Sequence, residues 1–476
     1  MSSLSRQQQL IVGALGLLTI IVLAVLCAIV YISMSSASVP LNREGQDGGP
    51  ATPIATALTT PLFPTWTPES TATPFLVPTA TPRALDKDAM PVLEQVETDV
   101  IAIRFLLPKT PVLRWSTSRR QLRSRYGDIF ESEEWQEELS SLTIALATLD
   151  LMSPDTDLTS VLIDISVEQS PSYYDPEDSG VYILHDIDPT SPYGRMLYAH
   201  SYDHVLQDHN FGLDSLGIPI TELFQYADQA LAATSLSEGD AALTQGQYSV
   251  TFFSDTERVQ AQQAAQKHGS SALNSAPGAI RELYLFPHSA GKDFAQALFD
   301  SGGWQAISDA YADPPASTEH ILHPQSYLGG DQPVQILIPS LSSILGSGWQ
   351  LAYDDTLGEL MLRVYLEGRI EAAEASAAAE GWGGDRCAIY QNDATDETVM
   401  LLHVEWDTVA DAEEFLQAYT SYADARFGLA SGGTTAGGAC WEGSDVLCIV
   451  RSGDTVIGVL GPDRETADRV LAVSTP

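Results

Sequence analysis

Residues 10–34 carry no charge, and no other stretch limits the possible architectures so sharply. The hydrocarbon core of a bilayer takes roughly 20 apolar residues as a helix, so this run is long enough to span. A cleaved signal peptide has a shorter apolar region, about 7–15 residues, ending at a small-residue cleavage site. Arg6 is the only charge before the run, and basic residues stay on the cytoplasmic side. The expectation is a single-pass membrane protein, anchored through residues 10–34, with a cytoplasmic N-terminus and an extracytoplasmic C-terminal bulk. Cys27 is read as a buried anchor residue, because Leu26 precedes it where a lipid-attachment site has a small residue.

Residues 38–84 alternate Pro and Thr with almost no apolar periodicity. Such a segment buries too little surface to offset its chain entropy, and its prolines favour extended backbone. It reads as a spacer, with a composition that also suits a glycosylated stalk. The 63 acidic against 23 basic side chains leave a formal charge of −40. A surface of that sign repels phosphate backbones and anionic headgroups, which disfavours nucleic acid as a partner. Lysine is nearly absent, at Lys87, Lys109, Lys267 and Lys292 alone.

Ordered structure is expected from about residue 85, with helices near 90–107, 118–151, 192–209, 220–248, 257–268 and 293–312. Residues 160–168 and 180–184 read as strands. After Tyr327-Leu-Gly-Gly-Asp-Gln-Pro the pattern changes to a strand at 334–338, a helix at 356–379, and then strand, strand, helix, strand, strand, helix, a compact α+β unit. The domain reading is an anchor at 1–37, a linker at 38–84, a first domain at 85–330 and a second at 331–476. Outside the anchor the cysteines are Cys387, Cys440 and Cys448. A turn centred on residues 442–444 favours Cys440 opposite Cys448 over a pairing of Cys387 with either, leaving one thiol over.

Of nine histidines, His185, His200, His204 and His209 crowd into one stretch. His200 and His204 are one helical turn apart and share a face, as two ligands of one metal must. At roughly 100° per residue His209 falls half a turn away. Two satisfied core histidines would give the same spacing.

The surrounding text, Ala199-His-Ser-Tyr-Asp-His-Val-Leu-Gln-Asp-His-Asn-Phe-Gly-Leu, resembles the active-site helix of gluzincin-type zinc metallopeptidases, in particular surface-anchored bacterial members. Leu236-Ser-Glu-Gly-Asp-Ala-Ala resembles the setting of their third ligand. The resemblance continues through Tyr174-Asp-Pro-Glu, Phe286-Pro-His-Ser-Ala-Gly, Gly302-Gly-Trp, Pro315-Ala-Ser-Thr-Glu-His-Ile-Leu-His-Pro, Trp382-Gly-Gly-Asp-Arg and Trp406-Asp. It implies a zincin-like, mainly helical first domain with a small sheet, and zinc held by His200, His204 and Glu238. The fold class expected for the whole chain is therefore α+β: transmembrane helix, Pro/Thr-rich linker, zincin-like domain and smaller α+β unit.

One departure outweighs the matches. Position 201 is Ser, where the peptidase needs a Glu to take a proton from the attacking water and pass it to the leaving amine. A hydroxyl cannot do this near neutral pH, and Asp203 projects about 200° round the helix from Ser201. Losing such a group removes about 100- to 10,000-fold in rate. No catalytic residue is therefore assigned, and a pseudo-enzyme binding a peptide, protein or envelope ligand is expected. The competing readings are an active peptidase with a substituted base and a structural envelope protein without metal. Glu319, His320 and His323 suit a loop that orders the cleft better than a second metal site. Asp203, Asp208, Asp214 and Asp240 lack the spacing of a calcium loop, and read as solvated acids and helix caps.

Overall fold

The longest periodic stretches of the chain fold as helices that bury one face against each other. The computed structural model describes residues 83–216, 224, 226–434 and 436–474. Three helices carry the site. The histidine helix, Pro192–Phe211, starts at the N-cap Ser191, whose side chain accepts from Gly194 N, with Pro192 in its first turn, and stops at Gly212 with φ 69°. Pro at the start and a left-handed Gly at the end delimit a helix without breaking it. The glutamate helix, Asp228–Phe252, and the kinked helix, Gly278–Ala310, run beside it. The kinked helix contains Pro287 and breaks at Gly302 and Gly303, the latter with φ 68°.

A four-stranded sheet flanks the histidine helix in the order Arg83–Ala84, Leu113–Thr117, Gly180–Leu184, Ser172–Asp175. The two central strands are parallel and Ser172–Asp175 closes the edge antiparallel. The later part of the chain builds a seven-stranded sheet, antiparallel throughout, in the order Trp349–Asp355, Trp382–Asn392, Thr398–Trp406, Thr455–Gly461, Val446–Ser452, Ala439–Glu442, Gly432–Gly433. Successive side chains of a strand point to opposite faces, and the two faces here feed different cores. Met400, Leu402, Val404, Leu447, Ile449 and Leu460 join a core that begins at Leu93 and includes helix Val409–Phe427. Val399, Leu401, Cys440, Cys448, Ile457 and Val459 join a second core with Val470 and Leu471 of helix Arg464–Ser474.

The large sheet also grips the start of the glutamate helix. Asp385 accepts from Leu357 N, Gly358 N and Trp382 Nε1, which pins a turn where Gly358 has φ 73°. A Cβ there would meet Asp228 Oδ1 at 1.8 Å. Asp228, the first residue of the glutamate helix, accepts from Thr318 N and Oγ1, and Thr318 Oγ1 in turn accepts from Leu360 N.

Several expectations are corrected. The described chain is a mixed α/β structure of sixteen α-helices and two sheets, not the anchored α+β arrangement expected. Among the described residues no helix is long and apolar enough to cross a membrane, which overturns the expected single-pass localisation. The two longest, of 33 and 25 residues, carry Glu282, Lys292, Asp293 and Asp300, or Glu238 and Asp240, where a span needs an uninterrupted apolar run. The anchor assigned to residues 10–34 and the linker as far as residue 82 lie outside the described residues.

The strand expected at 160–168 is helix Leu158–Gln169, capped by Asp157, whose carboxylate accepts from Ser160 N. It buries Leu158, Leu162, Ile163, Ile165, Ser166 and Val167, and a short apolar run this uniform suits either structure. Residues 334–338 form no strand: Val334 and Leu337 are exposed, and Val334 N donates to Gly383 O. Strands Leu113–Thr117 and Trp349–Asp355 were not expected.

Candidate functional site

The histidine helix brings His200 and His204 onto one face, with their Nε2 atoms 3.2 Å apart. The glutamate helix crosses that face and delivers Glu238, whose Oε2 lies 3.3 Å from His200 Nε2 and whose Oε1 lies 3.6 Å from His204 Nε2. The three donor atoms fall within 4.8 Å of one another. His204 and Glu238 are buried and His200 is partly open. Glu238 Oε2 has no partner at hydrogen-bonding geometry despite its burial.

A third helix adds a residue that the sequence reading quoted but gave no role. His288 Nδ1, on the kinked helix, stands 3.2 Å from Glu238 Oε2. Its proximity follows from glycine: a Cβ on Gly239 would sit 2.0 Å from Gly291 O, and one on Gly291 would sit 2.3 Å from Ser235 O. The two helices therefore touch backbone to backbone, one residue from Glu238 and one turn from His288.

Behind His204 a polar network fixes the ring. His204 Nδ1 donates to Gln207 Oε1 at 2.9 Å, because Gln207 Nε2 is committed to Asp203 Oδ2 and Ser237 O. Ser237 Oγ donates to the same Gln207 Oε1. That leaves His204 Nε2 directed at Glu238, the usual way an outer hydrogen bond sets the orientation of a ligand. Deeper still, Arg104 joins Asp203 at 3.2 Å and Asp240 at 2.7 Å, lies over the Trp304 ring, and shares Asp240 with Tyr311 Oη. Arg104 is fully buried, and a buried cation of this kind persists only when its charge is matched.

Burial acts first on all three donors. It pushes His200 below the ordinary histidine range. Burial also pulls His204 down, but the Glu238 carboxylate and Gln207 outweigh it and hold the imidazole at about 9. Burial would raise Glu238, yet His204, His288 and His200 around it hold the carboxyl well below its ordinary range.

Ser201, at the position of the missing base, is buried and its Oγ lies 2.8 Å from Ser172 Oγ on the edge strand. Asp203 is equally unavailable, bound to Arg104 and Gln207. A cleft of about 640 Å³ opens beside the donors, lined among others by His200, His288, Ser172, Met196, Tyr284 and Lys292.

His185, His209, His320 and His323 are held by partners away from the donors. His209 bonds to Lys109 N and Thr110 Oγ1, and His185 to Thr117 O. His320 accepts from Ala316 N and reaches Asp331 O, while His323 pairs with Glu359 at 2.8 Å. Glu319 lies instead with Asp331 and Asp407. The four aspartates considered for calcium do not converge: Asp203 and Asp240 hold Arg104, Asp208 accepts from Tyr174 Oη, and Asp214 is exposed.

A family model described as a domain of unknown function, DUF8575, covers residues 350–471, the seven-stranded sheet and its helices. No curated protein and no solved structure matches the chain. His200, His204, Glu238 and His288 all precede the matched region.

Proposed function

We propose that the chain is a degenerate gluzincin-type zinc metallopeptidase: His200, His204 and Glu238 hold a divalent metal beside a cleft that takes a peptide or protein ligand without cleaving it. The observation that carries this reading is the spacing of the donors. Ligand atoms about 2.0–2.1 Å from a tetrahedral zinc ion stand about 3.3 Å from each other. The separations here are 3.2, 3.3 and 3.6 Å. Two imidazoles and a carboxylate are a donor set that suits zinc, and the unpartnered Glu238 Oε2 is an oxygen that a cation would satisfy. Bound there, the ion would polarise a carbonyl oxygen of a ligand in the cleft.

Neither Ser201 nor Asp203 can carry a proton for hydrolysis. Ser201 stays protonated near neutral pH and is hydrogen-bonded to Ser172, and Asp203 is bound to Arg104 and Gln207. The test uses the full chain. Elemental analysis after exhaustive dialysis should return one zinc per chain, and a broad peptide library should survive incubation. Cleavage by the wild-type chain would sink the pseudo-enzyme, whereas cleavage only by a Ser201→Glu variant would fit it. A metal content near zero would remove the metal itself.

A further inference from the structure

We infer that Glu319, Asp331 and Asp407 bind a calcium ion that clamps the segment after the kinked helix to the seven-stranded sheet. The site is separate from the histidine cluster and does not depend on the zinc reading. One carboxylate oxygen from each of the three residues lies within 4.8 Å of the other two. Calcium holds its oxygen ligands at about 2.3–2.6 Å, so oxygens on opposite sides of one ion stand about 4.6–5.2 Å apart. All three can therefore reach a single ion.

A second observation concerns Glu319 itself. The residue is 5% exposed, yet its carboxylate accepts no hydrogen bond among the described residues. A buried carboxylate is ordinarily held by hydrogen bonds or by an opposite charge, and here it has neither. The charges that act on it most strongly are the carboxylates of Glu359, Asp407 and Asp331, ahead of His323, and His323 is already paired with Glu359 at 2.8 Å. A cation among the three oxygens supplies what Glu319 lacks.

The backbone brings the donors together from three distant segments. Glu319 lies in the short helix Thr318–Leu322, beside Thr318, which holds Asp228 at the start of the glutamate helix. Asp331 is fixed by its N–H on Ser326 O, by His320 Nε2 at its carbonyl and by Gln332 N on Oδ1, which leaves Oδ2 over. The chain then lies against strand Trp382–Asn392: Val334 N donates to Gly383 O at 2.7 Å, and a Cβ on Gly384 would come within 2.3 Å of Val334 O. At the same end of that strand Asp407 N donates to Gly381 O at 2.9 Å, just past the paired Trp382 and Trp406. The segments Pro315–Pro324, Trp382–Arg386 and Trp406–Asp407 thus meet at one place, away from the histidine site.

The donors select the ion. Carboxylate oxygens suit hard cations such as calcium and magnesium, whereas zinc favours nitrogen and sulfur. Magnesium demands near-ideal octahedral geometry and usually takes one or two carboxylates, while calcium accepts several in a flexible shell of 6–8 oxygens. Asp331 and Asp407 are exposed, so water can complete that shell.

The experiment strips the full chain with EGTA, then follows thermal unfolding and calorimetric titration with calcium. One calcium per chain should bind, with a saturating rise in Tm that the same concentration of magnesium does not reproduce. Glu319→Gln and Asp407→Asn should each raise the calcium midpoint by about tenfold or more, because affinity follows the charge of the ligand set. Asp407 is exposed, so its variant decides the matter even where Glu319→Gln fails to fold. His200→Ala should keep the full calcium response. A wild-type chain that ignores calcium, or variants that respond as the wild type does, would overturn the site. Loss of the response in His200→Ala would place the ion at the histidines instead, and an equal response to magnesium would overturn the choice of calcium.

Discussion

Gly239 and Gly291 face each other where the glutamate helix crosses the kinked helix, close enough that a methyl group on Gly239 would lie 2.0 Å from Gly291 O. Gly239→Ala must therefore separate two backbones, not displace a flexible side chain. Overpacking costs about 1–3 kcal/mol, occasionally more, and the displacement acts one residue from Glu238. Gly246→Ala on the same helix is the control, because a Cβ there meets nothing within 4 Å and Ala favours a helix over Gly by about 1 kcal/mol. Urea unfolding should show the first variant destabilised and the second unchanged or stabilised, with metal affinity lost only in the first. Equal behaviour of the two would show that the crossing is not tight.

Arg104 is the sole cation in contact with Asp203 and Asp240 among the described residues. Arg104→Met removes that charge and leaves two carboxylates buried. Breaking a buried pair this way costs about 3–5 kcal/mol. Burial first, and Asp203 beside it, already raise Asp240 to about 7, so a proton can replace part of the lost cation. The variant should therefore be less destabilised at pH 6 than at pH 8. A loss in urea stability that is the same at both values would contradict this account.

Much of the helical frame was legible because caps and apolar spacing agree, as at Ser191-Pro192 and Gly212, which bound the histidine helix. The spacing of His200 and His204 put both on one face, and their Nε2 atoms are 3.2 Å apart. Residues 160–168 were misread because a uniformly apolar run has no period to distinguish strand from helix. Val334 and Leu337 imitate a strand, yet they lie exposed beside the sheet. His288 and Arg104 had no local signature. Each acts through residues on other helices, and the contact that seats His288 is a meeting of two glycines, 52 residues apart in the chain (291 − 239). Pairing at that separation leaves no mark on spacing or composition.

The turn between the glutamate helix and the large sheet should make stability depend on pH. Burial raises Asp228 to about 8 and Asp385 to about 6. A folded-state value above the unfolded one, about 3.9 for Asp, means that the folded chain holds the proton more tightly. The contribution is then complete below the unfolded value and is lost as pH rises through the folded one. The urea midpoint should fall between pH 5 and pH 8, and Asp228→Asn, which keeps an oxygen to accept from Thr318, should flatten that part of the profile. A midpoint that rises with pH over this interval would contradict the argument.

Cys440 and Cys448 sit directly opposite each other in neighbouring strands and are joined by a disulfide, whereas Cys387 is a buried free thiol. The bridge closes a short loop, with a sequence separation of 8, so the loop-entropy gain is modest, about 2.5 kcal/mol. Cys440→Ser with Cys448→Ser should lower urea stability by about that amount without unfolding the chain, because both sheet faces retain their cores. Burial raises the Cys387 thiol well above its ordinary range, and only the thiolate reacts with an alkylating agent. Mass spectrometry after iodoacetamide treatment should therefore find Cys387 unmodified in the native chain and fully modified in urea. Cys440 and Cys448, buried as well, should become modified only in urea with a reductant present. Modification of Cys387 at the same rate before and after denaturation would mean that the strand pair Trp382–Asn392 and Thr398–Trp406 opens readily, although both strands are paired on each side within the sheet.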